Sequence, residues 1–272
     1  MAIRGSPKVW LLTIGNEILI GRIINTNAAW LARKLTFLGF NVERIIVTPD
    51  SLEDISGEIR RALDKGDVRV VITTGGLGPT YDDMTLAAVA KSAGVSLKLN
   101  EEAYEMVKEK YAQGNLEMTK DREKMAYLPE GARPLRNPVG TAPGSWFEVG
   151  NTVIISLPGV PAEMEAIFES EVMPRLQSIA PKLAVVECGF RVIGVPESSL
   201  APYLEDAERK NPGCYVKSHP KGNEVRGPIL EVKVLASGHS RDEALEKARS
   251  ALEAVKVGAQ KLGGEISEEG CT

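Results

Sequence analysis

Short apolar runs alternate with amphipathic stretches through the first half of the chain. Residues 8–13, with Val-Trp-Leu-Leu at their centre, have the unbroken apolar pattern of a buried strand. A helix is predicted from Thr26 to about Leu38, where Leu31, Leu35 and Leu38 fall at helical spacing and Gly39 ends it. Residues 41–47 form a second strand. Ser51 is a suitable N-cap for a helix that closes near Lys65 and Gly66. Residues 68–72 are β-branched and apolar apart from Arg69, and make a third buried strand. Strands that alternate with helices in this way build right-handed βαβ units and a parallel sheet.

Beyond residue 94 the pattern predicts helices at about 101–113 and 119–126, then an extended piece over 134–137. Residues 145–149 and 152–157 read as a hairpin across Gly150-Asn151. Leu157-Pro-Gly-Val-Pro161 opens a helix to about Ile179, with Pro161 at its first position and Glu163 in its first turn. A second unit begins near residue 181. Strands at 184–192, 214–218 and 229–235 and helices at 198–210 and 241–257 give it a β-α-β-β-α order, a small α+β domain. The expected division is 1–180, 181–262 and a polar, acidic, disordered tail over 263–272.

The chemistry concentrates after the third strand. Gly75, Gly76 and Gly78 let the backbone turn sharply and approach a ligand. Pro79 and Thr80 open a helix predicted to run to about Ala93, which puts Asp82 and Asp83 in its first turn. Strand, glycine loop and helix in that order present backbone N–H groups to an anion, often a phosphate. A structural reading stands beside this one, because Thr80 with Asp83 resembles a capping box and first-turn acids favour the helix dipole. Two aspartates would also repel a phosphate. A divalent cation between them removes that conflict, so the motif suggests phosphate with a metal. Glu17 beyond the first strand, the loop over 140–144 and the helix start near Glu163 should gather at the same sheet edge. Glu17 and Glu163 could equally be solvated acids, and Asn25 and Asn27 fit as caps of the helix that follows them.

Composition narrows the partners. The 272 residues are 43% hydrophobic and 26% charged, with a net charge of −4 that argues against broad nucleic-acid binding. Lys217, His219, Lys221 and Arg226 make one hairpin basic; a solvated hairpin is the first reading and a nucleic-acid adaptor the weaker one. No apolar run approaches membrane-spanning length and no signal-peptide pattern opens the sequence. Three cysteines without a CxxC predict neither a disulfide framework nor a zinc site, and a reducing cytoplasm is expected. The two histidines, His219 and His239, lie far along the chain from the loop, so chemistry there must use carboxylates, lysine, hydroxyls or a metal.

Four stretches together resemble the N-terminal region of the competence/damage-inducible protein CinA, within the wider MoaB/MogA-like molybdopterin-binding superfamily. They are residues 15–21 with Asn25-Thr-Asn27, residues 73–83, residues 137–144 and residues 157–164. The resemblance covers residues 8–176 closely and 184–258 more loosely. It implies a three-layer α/β/α domain with a mostly parallel sheet, followed by a smaller α+β, KH-like domain; that segment carries no GxxG, which counts against RNA binding. It also implies a metal-dependent hydrolase of ADP-ribose or a similar nucleoside diphosphate compound, or alternatively a molybdopterin-binding protein without hydrolase activity. The ligand would be a nucleotide or pterin phosphate. Superfamily relatives usually have Arg where Asp82 stands, which favours the CinA-like branch and a metal. A nicotinamide-mononucleotide deamidase domain, often present in CinA, is not expected in the residues that follow. On this resemblance Asp82, Asp83 and Glu17 would hold Mg²⁺ or another divalent ion, with Glu163 as a further catalytic carboxylate. Gly75, Gly76, Leu77, Gly78, Thr80, Asn27, Asn137, Gly140 and Thr141 would contact the ligand, and a homo-oligomer is expected.

Overall fold

The computed structural model describes residues 5–272. The chain divides into two units, one of Pro7–Leu35 with Asn41–Ala180 and one containing Thr36–Phe40 with Pro181–Thr272. Among the described residues no helix is long and apolar enough to cross a membrane.

The first unit begins β1 (Lys8–Ile14), α1 (Asn16–Leu19), α2 (Thr26–Phe37), β2 (Asn41–Thr48), α3 (Leu52–Lys65), β3 (Val68–Thr74) and α4 (Thr85–Ala93). It continues with β4 (Leu97–Leu99), α5 (Glu101–Gln113), α6 (Lys120–Glu123), β5 (Tyr127–Pro129), β6 (Arg133–Leu135), β7 (Gly144–Val149), β8 (Thr152–Leu157), α7 (Pro161–Ile167) and α8 (Met173–Ile179). The strands order β2-β1-β3-β8-β7-β6, with β2, β1, β3 and β8 parallel, β7 antiparallel to β8 and β6 antiparallel to β7, so that β7 alone runs against the others. Because β1 and β3 are covered on both faces, their apolar residues run without a break. Trp10, Leu12 and Val71 pack with Ile55 and Ile59 of α3 and with Val89 of α4. The alternate residues Val9, Leu11, Val70 and Ile72 are buried too, as a three-layer α/β/α arrangement requires. On the α2 side, Trp30 meets Phe168 edge to face at 5.3 Å.

The helix expected from Thr80 starts instead at Thr85. Thr80 N–H donates to Asp83 Oδ2 at 2.8 Å, and Asp83 N–H returns to the Thr80 carbonyl at 3.2 Å. This local turn satisfies the groups that a helix would have used. Asp82 and Asp83 therefore stand on a turn before the helix, not in its first turn.

The second unit runs β9 (Ala184–Ile193), α9 (Glu197–Lys210), β10 (Cys214–Pro220), β11 (Ile229–Gly238), α10 (Arg241–Lys261) and β12 (Glu265–Cys271), with every strand pair antiparallel in the order β10-β11-β9-β12. It is the expected small α+β domain. The tail is not disordered: it supplies the fourth strand and makes a β-α-β-β-α-β split arrangement, so the KH likeness extends only to a small α+β unit. Nor are the cysteines all free. Cys188 of β9 and Cys271 of β12 face each other in register and form a disulfide, while Cys214 is buried and free. Charge patterning explains the strand. Glu269 pairs with Lys233 at 2.7 Å, and Glu268 pairs with Lys256, so acids that read as a solvated tail meet cations of the sheet and of α10. The basic hairpin is partly neutralised in the same way, with Lys221 3.2 Å from Glu231.

At the amino-terminal edge of the large sheet, Glu43 accepts from Lys65 at 2.8 Å and from Trp10 Nε1 at 2.8 Å, and lies 3.0 Å from Lys8. These partners, Lys65 foremost, hold its carboxyl down at about 2. A carboxyl depressed in the folded state contributes stability that is complete above its unfolded value and fades as pH falls towards the folded one. Thermal stability should accordingly weaken as pH falls from about 4.5 to 2, and Glu43→Gln should flatten that part of the profile. The disulfide closes a separation of 83 residues, for which chain entropy gives a stabilisation on the order of 4 kcal/mol. Urea unfolding of the second unit should come earlier in reductant, and a variant with Ser at 188 and 271 should not respond to reductant.

Candidate functional site

Open α/β sheets bind ligands at the carboxyl ends of strands, where successive crossovers leave in opposite directions. Here that point lies between β1 and β3, since β2 follows β1 on one side and β3 returns on the other. A cavity of about 550 Å³ opens there, a size suited to a small-molecule ligand.

The glycine loop owes its shape to close packing. Gly75 and Gly76 have φ of +100° and +67°, and a side chain on Gly75 would run into the Ile14 carbonyl at the end of β1. Gly75 N–H donates to the Leu157 carbonyl at 3.0 Å, which joins the loop to the end of β8. The buried Thr85 clips it from the helix side: its hydroxyl donates to the Gly75 carbonyl at 2.8 Å, and its N–H to the Gly76 carbonyl at 3.2 Å. Gly75, Gly76, Leu77, Gly78 and Thr80 all line the cavity.

Asp82 and Asp83 line it as well. The Thr80 hydroxyl lies against both carboxylates, 2.6 Å from Asp83 Oδ2, and its single proton serves one at a time. That hydroxyl, then the backbone N–H of Asp82, then the Lys124 cation hold the Asp82 carboxyl below its usual range. Lys124 also donates to the Thr80 carbonyl, so the turn is pinned from outside.

Glu163 reaches the cavity from the first turn of α7. Asn137 Nδ2 donates to its Oε2 at 2.7 Å and to the Ala142 carbonyl at 2.9 Å. Asn137 Oδ1 accepts from Val139 N–H at 3.1 Å and Gly140 N–H at 2.7 Å. Asn137 is thus buried, fully used and off the cavity wall. Gly140 is off the wall too; its missing side chain leaves the space that the Glu163 carboxylate fills. Of this loop's predicted contacts only Thr141 lines the cavity. Asn27 lines it and donates to the Gly159 carbonyl at 2.7 Å, while Asn25 accepts from Ala28 N–H at 3.2 Å and caps α2.

Glu17 lines the cavity, and so does Asp50, which the sequence reading passed over. Asp50 accepts from Asn16 N–H at 2.8 Å and fixes the start of α1. Its signal was positional: it follows β2 at the same sheet edge as Glu17 and Asp82. Among the lining residues there are therefore the carboxylates of Glu17, Asp50, Asp82, Asp83 and Glu163, and no Lys, Arg or His. Among the described residues no three His, Cys, Asp or Glu side chains lie close enough to hold a metal by themselves. Glu17, Asp82 and Asp83 consequently do not form a ready-made three-ligand cage.

A family model for a probable molybdopterin binding domain matches residues 10–178. A protein of Aeropyrum pernix is 57% identical over 263 residues, covering 97% of each chain. One of Pyrobaculum calidifontis is 53% identical over 238 residues, 88% of this chain and 90% of its own. Among solved structures, the protein CinA, of unknown function, from Thermoplasma acidophilum is 44% identical with a TM-score of 0.58, covering 62% of this chain and 98% of that one.

The Thr85 clip makes a direct prediction. Thr85→Val keeps the shape but leaves the Gly75 carbonyl short of a buried donor, which costs about 1–3 kcal/mol. Urea unfolding should report that loss, and Thr85→Ser should restore most of it.

Proposed function

This chain belongs to the probable molybdopterin binding domain family and is CinA-like, and from that premise we propose that it is a metal-dependent hydrolase of ADP-ribose or a similar nucleoside diphosphate compound. The observation that carries this reading is the charge of the cavity. Its wall offers a side-chain-poor glycine loop and the N-terminus of α2, both suited to phosphate, yet its ionisable side chains are all acidic. Two like charges 4 Å apart repel by about 4 kcal/mol at an effective dielectric of 20. A helix terminus returns typically about 0.3–1 kcal/mol. Backbone donors alone do not offset several carboxylates facing a diphosphate, whereas a divalent cation does.

The donor set fits such an ion. The available ligands are hard carboxylate and hydroxyl oxygens, the preference of Mg²⁺ and Mn²⁺. Mg²⁺ commonly takes one or two carboxylates, keeps several waters and completes its shell with substrate phosphate, so a three-residue cage is not required. Asp82 and Asp83 would hold the ion, with Glu17 contributing from the segment after β1. When bound, it would supply charge neutralisation on the phosphates and acidify a water.

The chain's own residues do the remaining work. The backbone over Gly76, Leu77 and Gly78 cradles phosphate, Gly75 holds that loop to β8 through its own N–H, and Thr80 keeps the aspartate turn closed. Asn137 orients Glu163 with one oxygen tied, leaving the other to accept a proton from water. Asn27 and Thr141 offer polar contacts to the ribose or phosphate.

Hydrolysis of ADP-ribose should appear with Mg²⁺ or Mn²⁺ and vanish in chelator. Asp83→Asn preserves an acceptor for Thr80 and should keep the fold by circular dichroism while lowering turnover about 100-fold or more. Turnover near the wild-type rate in that variant, or binding without any hydrolysis in the wild type, would overturn the assignment.

A further inference from the structure

The two ends of the Cys188–Cys271 disulfide meet very different surroundings. Cys188 is 1% exposed and belongs to the core of the second unit, with Phe190, Val192 and side chains of α9 and α10. Cys271 is exposed and lines an open groove of about 860 Å³ between β12 and α10, beside Leu245, Arg249 and Leu252. A thiolate arriving from solvent can therefore reach Cys271 Sγ, while the core shields Cys188 Sγ. Exposed disulfides are the ones that exchange.

The strand that this bond holds is otherwise weakly attached. Within β12 only Ile266 is half-buried, and every other residue is exposed. Its ion pairs, Glu269 with Lys233 and Glu268 with Lys256, join partly exposed groups, and pairs of that kind contribute little. Backbone pairing with β9 is interrupted by an irregularity between Glu268 and Gly270. An edge strand with so little buried surface sits at the low end of local stability. The disulfide is its main fastening.

We propose that Cys271 is a thiol-exchange site whose substrate is a dithiol, and that its reaction releases β12 from β9. One thiolate of the dithiol attacks Cys271 Sγ. A sulfur–sulfur bond forms there, the Cys188–Cys271 bond breaks, and the electron pair stays on Cys188 Sγ. Burial disfavours that thiolate, as it does at Cys214 in the same core, whose thiol it pushes up to about 11. Cys188 therefore takes a proton from water or attacks back. The second thiolate of the reagent attacks the reagent's own sulfur in the mixed disulfide and expels Cys271 as a thiolate, which water protonates. The reagent closes to a cyclic disulfide, having passed two electrons and two protons to the two cysteines. A monothiol adduct carries no second thiol, so return attack by Cys188 prevails. Release bares the β9 edge, a row of unpaired backbone groups of the kind that accepts another strand. It also takes Glu268 and Glu269 away from Lys256 and Lys233.

The test treats the whole chain, under native conditions, with dithiothreitol or with 2-mercaptoethanol at equal thiol concentration. Iodoacetamide labelling is then read by peptide mass spectrometry, with amide hydrogen exchange on the same samples. Dithiothreitol should open Cys271 to label while Cys214, 4% exposed, stays unlabelled. Amides of residues 265–271 should then exchange about tenfold or more faster, with those of β10 and β11 unchanged. 2-Mercaptoethanol should label Cys271 at least about tenfold less. The Cys188→Ser/Cys271→Ser variant should show the fast exchange over 265–271 without any reagent. Labelling of Cys214 in step with Cys271 would mean that the unit unfolds as a whole, and would overturn the inference. A disulfide that stays closed in dithiothreitol, equal yield from the two reagents, or slow exchange over 265–271 after reduction or in the double variant would do the same.

Discussion

The contact between Gly75 and the carbonyl of Ile14 is the constraint on which the first unit's site depends. Only a residue without a side chain can lie against the end of β1 with that backbone sign, and once it does the ends of β1, β3 and β8 are drawn together. Thr85 closes the loop from the helix side. The cavity is then a consequence of topology, because the crossovers diverge between β1 and β3 and the space outside their carboxyl ends stays unfilled.

Charge gives that space its character. Cations are plentiful elsewhere in this unit: Lys8 and Lys65 bind Glu43 and Asp67 at the far edge of the sheet, and Lys124 braces the aspartate turn from outside. The cavity wall has none among its lining residues. Separation of the two charge populations to different parts of one unit leaves an acidic pocket over a phosphate-type loop. Asn137 belongs to the same economy of design: it spends all its hydrogen-bonding groups on the 137–142 loop and Glu163, and thereby sets one carboxylate without touching the cavity.

The second unit shows how a weakly patterned segment becomes a strand. Residues 265–271 bury almost no side chain, so hydrophobic periodicity gave no signal for them. Their place at the edge of the sheet comes from backbone pairing with β9, from Glu268 and Glu269 meeting lysines, and from the bond between Cys188 and Cys271. Apart from Lys256, 12 residues before Glu268, these partners lie tens of residues away in the chain.

The sequence by itself determined the alternation of strands and helices in the first unit, the family likeness and the glycine loop with its acids, because periodicity and turn chemistry are local properties. Asn25 as a cap and Ser51 as a cap were legible for the same reason. Tertiary structure alone decided the rest. Whether Asp83 begins a helix or closes a turn depended on competition for Thr80, and the roles of Asn137 and Asp50 depended on what lay across the fold. The strand at the carboxyl end and its disulfide depended on partners up to 83 residues away. Local pattern fixes what a segment can form; which of those forms persists is set by groups that meet only after the chain has folded.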